Sequence, residues 1–303
     1  MTPLNKIILV IAGPTAVGKT DLCINLAKKF NTVIISSDSR QFFREINIGT
    51  AKPTAGELAK VSHYFIGNKS IHDAYDVKMY ESEALNCIND LFIEKDLLIL
   101  TGGSGLYTDA VVEGLDHIPE VGQEIREKLN ALYAKEGIRP LQELLSKLDP
   151  DYFNIVDKQN PQRLIRALEV CQGTGLPFSS FRVKKKVSRP FKTIKIALIR
   201  DREELYQRID QRMDSMIRNG LFEEAKEMYP YKDLNALNTV GYKEIFAYLD
   251  GEYDKEEAIR LLKRNSRRYA KRQVTWLKRD KAYHWFHPDE INSMLSLIKD
   301  QME

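Results

Sequence analysis

The sequence predicts an α/β fold in which a central parallel sheet is flanked by helices and interrupted by an all-helical insertion. Three observations carry this prediction: a phosphate-loop motif, further buried strands that end in polar or glycine turns, and a middle region without a strand pattern. Residues 13–20 read Gly-Pro-Thr-Ala-Val-Gly-Lys-Thr, which fits G-x-x-x-x-G-K-[ST]. The apolar run 6–12 before the motif is typical of a buried parallel strand, and residues 20–29 after it are typical of an amphipathic helix.

The residue types of this loop match phosphate binding, so we predict a P-loop NTPase-like core. Gly13 and Gly18 let the backbone curl with its amides inward, and the helix N-terminus adds partial positive charge. Lys19 can reach terminal phosphates, and the Thr20 hydroxyl can bind Mg²⁺. The predicted phosphate-binding residues are Gly13, Thr15, Ala16, Val17, Gly18, Lys19 and Thr20.

Apolar patterns along the rest of the chain extend this core and define the insertion. After Gly114, residues 119–172 contain no convincing strand and break into helical segments. The sequence therefore predicts a core of residues 1–115 and 192–303 and a helical insertion at 116–191. Strands are predicted at 32–36, 63–67, 97–101, 192–199 and 284–287. Helices are predicted at 78–94, 121–136, 139–148, 161–172, 202–218, 221–229, 240–249 and 254–278, and one more begins near Leu106. In the helix at 78–94, the predicted buried stripe is Met79, Ala84, Leu85, Ile88 and Leu91.

Composition is that of a globular protein of 303 residues, with 43% hydrophobic and 29% charged residues. No apolar run approaches the roughly 18 residues that a membrane span needs. Cys23, Cys87 and Cys171 show no C-x-x-C pairing, which argues against a disulfide framework and a cysteine zinc site. We expect a cytoplasmic monomer without a secretory signal or a membrane partner.

The net charge is only +3, but basic residues are concentrated in two stretches. Residues 182–195 hold seven basic residues and no acid, and residues 260–279 hold nine and no acid. Either stretch alone is interpreted as solvated surface. The two together, with Tyr269 and Trp276 in the second, predict a nucleic-acid partner.

Candidate chemistry lies where predicted strands end, because parallel strands bring their carboxyl ends to one edge of a sheet. Asp38 follows the second strand and lies near the phosphate loop if that strand neighbours the first. It is interpreted as a turn cap, as a Mg²⁺ ligand through water, or as a base. Arg208 and Arg212 are four residues apart and share a helix face. The strand at 97–101 lacks a terminal Asp of the Walker B type, which argues against ATP hydrolysis.

Seven motifs together resemble the tRNA isopentenyltransferase family, the bacterial tRNA dimethylallyltransferases. They occur in family order over nearly the whole chain: GPTAVGKT at 13–20, SDSRQ at 37–41, IGTAKP at 48–53, GGSGLY at 102–107, NPQRLIRALEV at 160–170, VGYKE at 240–244 and KRQVTWLK at 271–278. The chain departs from the family at Ser104, usually Thr, and at Phe43, where Tyr is common. The resemblance implies prenyl transfer from dimethylallyl diphosphate to the exocyclic amine of the adenosine just 3′ of the tRNA anticodon, with release of diphosphate.

The resemblance also implies roles for residues. Asp38, Thr20 and Arg212 would be catalytic: Asp38 would accept the amine proton, while Arg212, Lys19 and Mg²⁺ at Thr20 would neutralise the leaving diphosphate bound by the loop. Mg²⁺ is the expected cofactor, and the anticodon stem-loop is the expected partner of the helical insertion. The implied tRNA-binding residues are Asp38, Ser39, Arg40, Gln41, Ser104, Arg126, Gln162, Arg163, Leu164, Ile165, Arg166, Gly241, Lys243, Lys271, Arg272, Gln273, Trp276 and Lys278.

Two other functions remain open at this point. A P-loop kinase would bind ATP and phosphorylate a small molecule without RNA, and the basic stretches argue against it. A nucleotide-gated RNA-binding module would carry out no chemistry, and Asp38 would then be dispensable.

Overall fold

The computed structural model describes residues 6–183 and 187–302, and the chain divides into two compact units. The first, here called the core unit, consists of Met1–Glu113 with Ser188–Glu303, and the second, the helical unit, is Gly114–Val187. The predicted boundaries were 115/116 and 191/192. Three lysines of the first basic stretch, Lys184, Lys185 and Lys186, lie outside the described residues.

A six-stranded parallel sheet forms the centre of the core unit, which confirms the predicted fold class. Its spatial order is β3-β2-β4-β1-β5-β6. The strands in chain order are β1 (Ile7–Ala12), β2 (Ile34–Ser36), β3 (His63–Tyr64), β4 (Leu97–Thr101), β5 (Lys192–Leu198) and β6 (His284–Phe286). Residues of β1 are buried throughout, as its continuous apolar sequence predicts for a central strand with both faces covered.

Helices occupy most of the remaining chain. They are α1 (Lys19–Lys29), α2 (Ala55–Leu58), α3 (Val77–Leu91), α4 (Gly105–Glu113), α5 (Gln123–Glu136), α6 (Arg139–Leu148), α7 (Pro150–Ile155), α8 (Pro161–Thr174), α9 (Arg202–Arg218), α10 (Leu221–Met228), α11 (Tyr242–Leu249), α12 (Lys255–Leu277) and α13 (Ile291–Met302), with short 3₁₀ turns at Phe178–Phe181, Tyr229–Tyr231 and Asn235–Leu237. Sequence patterns missed α2, α7 and α13. Among the described residues, no helix combines the length and the apolar character that crossing a membrane requires.

The buried stripe of α3 differs from the prediction. Met79 is 46% exposed, whereas Tyr80, Ala84 and Ile88 are fully buried. Residues four apart lie on one helix face, so Tyr80 shares the face of Ala84 and Ile88, and Met79 points away from it. The Tyr80 ring stacks on Phe42, and its hydroxyl donates to the carbonyl of Ser36 at the end of β2 (3.0 Å).

The strand order corrects one premise of the sequence analysis: β2 does not neighbour β1, because β4 lies between them. Ile11 of β1 and Ser36 of β2 both align with Thr101 of β4, so the three strands end side by side. Gly102 follows β4, and a Cβ there would lie only 2.4 Å from Ser37 Oγ. Glycine therefore allows the chain after β2 to pass close to the end of β4 and brings Asp38 toward the phosphate loop.

In the helical unit, α5 to α8 pack around a core of their own. Leu129, Leu141 and Leu145 are buried in it together with Leu168. Asn160 caps α8 by accepting from the backbone N–H of Arg163 (3.2 Å). This arrangement agrees with the helical patterns predicted for this part of the chain.

Candidate functional site

The phosphate loop connects β1 to α1, and side chains of the protein bind several of its carbonyl groups. The Nζ of Lys19 donates to the carbonyls of Gly13 (2.8 Å) and Pro14 (2.9 Å). The Nε of Arg208 donates to the carbonyl of Ala16 (2.9 Å). Because its carbonyls are occupied, the loop presents amide groups, the partial positive ends of its peptide dipoles, to a ligand.

Arg200 completes this set of loop contacts, and the sequence analysis did not identify it. Its Nε donates to the carbonyl of Val17 at 2.9 Å, and its guanidinium also pairs with Glu204. The position of Arg200, two residues after β5, was the available signal, since polar residues at the carboxyl ends of parallel strands form sites. The Val17 side chain is fully buried, so this residue offers only its backbone to a ligand. Gly18 has a φ of 110° and begins α1, a conformation that favours glycine.

One amide of the predicted phosphate-binding loop is already bound within the protein. The backbone N–H of Thr15 donates to the Oε1 of Gln273 on α12 (2.9 Å), so this amide already has a partner within the protein. The side chain of Thr15 lines the cavity described next. The Val17 N–H also has a partner, the Pro14 carbonyl (3.4 Å). The other amides that follow Thr15 in the loop are the donors considered for a phosphate.

A cavity of about 530 Å³ opens over the loop, and Asp38 lines it together with Lys19 and Thr20. Asp38 Oδ1 accepts from the backbone N–H of Arg40 at 3.0 Å, which fixes the carboxylate at the turn after β2. Thus the turn-cap interpretation of Asp38 is correct for one oxygen. The carboxylate as a whole nevertheless borders the cavity, where it is available to a ligand.

Arg212 of α9 lines the same cavity, as does Arg208, which lies four residues before it on the same helix face. Burial lowers the pKa of Arg212, and the negative charge of Asp38 partly opposes that effect. Burial, followed by the positive charge of Arg212, lowers the pKa of Lys19 to about 8. Two cations are therefore held close together in a dehydrated site, an arrangement that an anionic ligand would stabilise.

The polar residues after Asp38 bind mainly to the protein itself. Arg40 donates to the carbonyls of Asn235 (2.6 Å) and Ala236 (3.2 Å), which ties its guanidinium to the chain before α11. The side-chain amide of Gln41 donates to the carbonyls of Thr50 and Ala51, at 3.2 Å and 3.1 Å. Both residues line the cavity, but these contacts give their side chains a structural role as well.

Ser104 and Ser39 bind each other. The Ser104 hydroxyl accepts from the Ser39 backbone N–H (3.1 Å), and their two hydroxyl oxygens are 2.9 Å apart. Ser104 thus links the turn after β4 to the turn after β2, and this contact needs only a hydroxyl, which Thr also supplies. Phe43 is the other position at which the chain departs from the family pattern. It is 5% exposed and packs in the core, where a ring is needed for packing and a hydroxyl would require a partner.

Helix α12, together with Lys278 that directly follows it, carries both exposed and buried members of the predicted RNA-binding set. Lys271, Arg272 and Lys278 are exposed, as RNA-binding cations must be. Trp276 is half-buried, and its Nε1 donates to Asp109 Oδ2 at 2.9 Å. Gln273 is only 8% exposed, and its side chain accepts from the phosphate loop while it lines the cavity, so its role as an RNA contact stays a prediction.

The IGTAKP and VGYKE motifs meet at Glu224, which the sequence analysis did not identify. The Glu224 carboxylate accepts from the backbone N–H groups of Asn47 (2.8 Å), Ile48 (2.8 Å) and Gly49 (2.9 Å), and from the Tyr242 hydroxyl (2.5 Å). The two neighbouring residues that the sequence predicts to bind tRNA differ in exposure. Lys243 is exposed, whereas Gly241 is buried, and the Gly241 N–H donates to Glu244. Gly241 has no side chain, and its backbone N–H is already bound within the protein, so this part of the motif contributes to the structure around the site.

We expect Glu224→Ala to lower the free energy of unfolding by about 2–4 kcal/mol, because several donors lose their shared acceptor. Calorimetric or urea unfolding measures the effect. Glu223→Ala is the matched control, since Glu223 is the exposed neighbour on the same helix, and we expect a change within about 0.5 kcal/mol. Equal effects of the two substitutions would contradict the assignment.

In the helical unit, three predicted RNA-binding residues gather around the buried Glu169. Arg126 donates to Glu169 (2.9 Å) and to Gln162 Oε1 (3.3 Å), and Arg166 pairs with the same glutamate. The two arginine side chains are 43% and 41% exposed, so they remain accessible to a phosphate backbone. Packing of α5 against α8 brings these residues together from distant parts of the sequence.

The other predicted residues of this motif differ in exposure. Arg163 is exposed on α8. Leu164 and Ile165 are fully buried in the core of the helical unit. Their side chains pack the core on the inner face of this helix, so an RNA contact by these two residues stays a prediction that only their backbone could fulfil in this arrangement.

Comparison with known proteins supports a single family. The family model described as IPP transferase matches residues 41–280. A tRNA dimethylallyltransferase of Cytophaga hutchinsonii is 48% identical over 100% of both chains, and one of Christiangramia forsetii is 53% identical over 95% of each. The crystal structure of a tRNA isopentenylpyrophosphate transferase from Bacillus halodurans has a TM-score of 0.72 and 37% identity, covering 98% of this chain and 97% of that one.

A eukaryotic dimethylallyltransferase, whose crystal structures capture it acting on tRNA, also has a TM-score of 0.72. It is 29% identical and covers 90% of this chain and 70% of its own. The phosphate loop, the facing Asp38 and the family match thus lead to the same classification. The chain belongs to the IPP transferase family.

Proposed function

We propose that the protein transfers a dimethylallyl group from dimethylallyl diphosphate to the exocyclic amine of the adenosine just 3′ of the tRNA anticodon, releasing diphosphate. One observation carries the proposal: the phosphate loop and the Asp38 carboxylate border the same cavity. A diphosphate bound at the loop leaves its carbon-bearing end directed into a space that a nucleophile can enter. The family membership supports the choice of prenyl donor and tRNA acceptor.

At the donor end, the chemistry requires stabilisation of growing negative charge. The bond between C1 of the dimethylallyl group and the diphosphate oxygen breaks as the amine nitrogen bonds to C1. Lys19, Arg212 and the free loop amides are groups that neutralise the leaving diphosphate, and their fixed positions avoid reorganisation during the reaction. This stabilisation grows as the bond breaks and therefore raises kcat.

At the acceptor end, Asp38 is the proposed proton acceptor. The amine becomes positively charged when it bonds to carbon, and the carboxylate receives its proton. Arg40 N–H holds one carboxylate oxygen, so the group keeps its orientation before the base enters. The adenine must leave its stack to reach this depth, as expected for enzymes that modify a base.

The residues present fit Mg²⁺ as a cofactor bound together with the donor. Within residues 6–183 and 187–302, no group of three His, Cys, Asp or Glu side chains is arranged to hold a metal ion. Thr20 instead lines the cavity with an exposed hydroxyl. Mg²⁺ commonly takes one or two protein oxygens and completes its ligands with phosphate oxygens and water, so Thr20 would be its protein ligand. When bound, the ion supplies positive charge at the diphosphate.

The decisive experiment incubates the protein with unmodified tRNA, Mg²⁺ and dimethylallyl diphosphate and follows tRNA mass. We expect a gain of one prenyl group, in an anticodon stem-loop fragment as well, and none when the target adenosine is replaced by guanosine. Chelation of Mg²⁺ should abolish the gain. Phosphate transfer from ATP without RNA would favour the kinase alternative. Tight tRNA binding without mass gain would favour an RNA-binding module.

We predict that donor binding weakens as pH rises above about 8, because Lys19, whose pKa is about 8, then loses its charge in the free protein. Below this pH the ammonium is present and affinity should be constant; above it, affinity should fall by up to about tenfold per pH unit. Calorimetric titration with dimethylallyl diphosphate measures the profile. Lys19→Arg retains the charge and should flatten it. A flat profile in the unsubstituted protein would refute this role of Lys19.

A further inference from the structure

Gln273 joins the two halves of the site through one side chain. Its Oε1 accepts from the Thr15 backbone N–H of the phosphate loop (2.9 Å), and its Nε2 donates to the Gly103 carbonyl (2.8 Å). Gly103 belongs to the turn after β4. A single amide from α12 thus connects the loop that binds the donor to the turn beside Asp38.

The amide also faces the proposed base. The point at which a Cβ of Gly103 would lie is 2.8 Å from Gln273 Nε2 and 2.9 Å from Asp38 Oδ2. The amide nitrogen and the carboxylate oxygen therefore both lie next to the same glycine. Asp38 Oδ1 is held by Arg40 N–H, so Gln273 lies on the side of the other oxygen.

Gln273 is more deeply buried than its neighbours on α12. It is 8% exposed, whereas Lys271 and Arg272 are exposed on the same helix. An amide that is nearly buried must use its polar atoms within the protein, and both atoms of Gln273 do so. Both polar atoms of its side chain are therefore used within the protein, while the side chain also lines the cavity over the phosphate loop.

We propose that Gln273 is a positioning residue that holds the phosphate loop and the Asp38 turn in the relative arrangement that the transfer reaction needs. This inference rests on the proposed function and extends it to a residue that does not contact the reacting atoms. Precise alignment of donor and acceptor is worth large factors in rate, and a displacement of about 1 Å can cost about 10²-fold.

Two substitutions separate positioning from RNA contact. Gln273→Met keeps the length but removes both hydrogen bonds, and we expect kcat to fall about 10–100-fold while tRNA affinity stays within about twofold. Gln273→Glu retains the acceptor for Thr15 N–H but adds a negative charge beside Asp38. The acidic limb of its kcat–pH profile should shift upward by about one unit, because neighbouring carboxylates disfavour each other's ionised form.

The shift in Gln273→Glu reports charge at Asp38, and a purely structural defect would not produce it. The charged and titratable groups that already face Asp38 are common to both variants: Lys19, Arg40, Arg212 and Tyr269. Gln273→Met should therefore keep the profile of the unsubstituted protein. Thr275→Ala is the control on α12, because this residue is exposed and outside the cavity.

Three results would overturn the inference. They are weaker tRNA binding with unchanged kcat in Gln273→Met, an unshifted pH profile in Gln273→Glu, and losses in Thr275→Ala equal to those in Gln273→Met. Thermal unfolding of each variant verifies folding.

Pyrophosphate titration is a separate readout, and Gln273→Met should bind pyrophosphate several-fold more weakly. If the unsubstituted protein binds pyrophosphate but prenylates no tRNA, the proposed function fails while this readout still tests Gln273.

Discussion

Replacing Asp38 with Asn should lower kcat for tRNA prenylation by about 10²–10⁴-fold, the range that general-base catalysis contributes. The loss arises because the amide cannot accept the proton that the adenine amine releases on bonding to carbon. Affinity for tRNA should stay within about twofold, since a lost base affects mainly the transition state. Single-turnover mass spectrometry of the tRNA and filter-binding titration measure the two quantities separately.

Asn is the informative substitution because it preserves the local structure. Its side-chain oxygen can still accept from the Arg40 backbone N–H that Asp38 Oδ1 binds. Arg272→Ala should have the opposite effect, on tRNA affinity rather than on kcat. Because Arg272 is exposed, its loss should weaken tRNA binding and flatten the salt dependence of that affinity. Near-normal turnover in Asp38→Asn would exclude a base at this position and would favour a module that binds RNA without chemistry.

Replacing Arg212 with Met should reduce kcat by about 10²–10³-fold, comparable to the removal of one oxyanion-stabilising donor. Arg212 lines the cavity, and its guanidinium interacts electrostatically with Asp38 and Lys19. Its charge is most valuable when the diphosphate leaves, so kcat should fall more than donor affinity. Steady-state kinetics with dimethylallyl diphosphate and a calorimetric titration of the same donor test this difference.

Two further variants calibrate the Arg212 result. Arg218→Ala removes an exposed arginine from the last turn of the same helix and should leave kcat unchanged. Arg212→Lys retains the charge without the planar fork and should recover part of the rate. If Arg212→Met raises KM and lowers kcat/KM by the same factor while kcat stays unchanged, Arg212 contributes only uniform binding.

Local sequence patterns were sufficient for the phosphate loop, the parallel strands, most helices and the edge at which Asp38 lies. These features depend on neighbouring residues: a buried strand is a short apolar run, and a phosphate loop needs glycines and a lysine at fixed spacing. The same patterns failed where a short helix such as α7 is stabilised by its surroundings, and the motif that includes Leu164 and Ile165 did not indicate that the helix buries them.

Only the tertiary structure decided that β4 separates β1 from β2, and that the turn at Gly102 nevertheless brings Asp38 to the loop. It alone linked Thr15 to Gln273, 258 residues away, and Asn47 to Glu224, 177 residues away. Such contacts have no local signal, because they form between elements whose proximity is set by how the whole sheet and its helices pack. The amino-acid sequence by itself determined the reactive groups, and packing determined which of them act together.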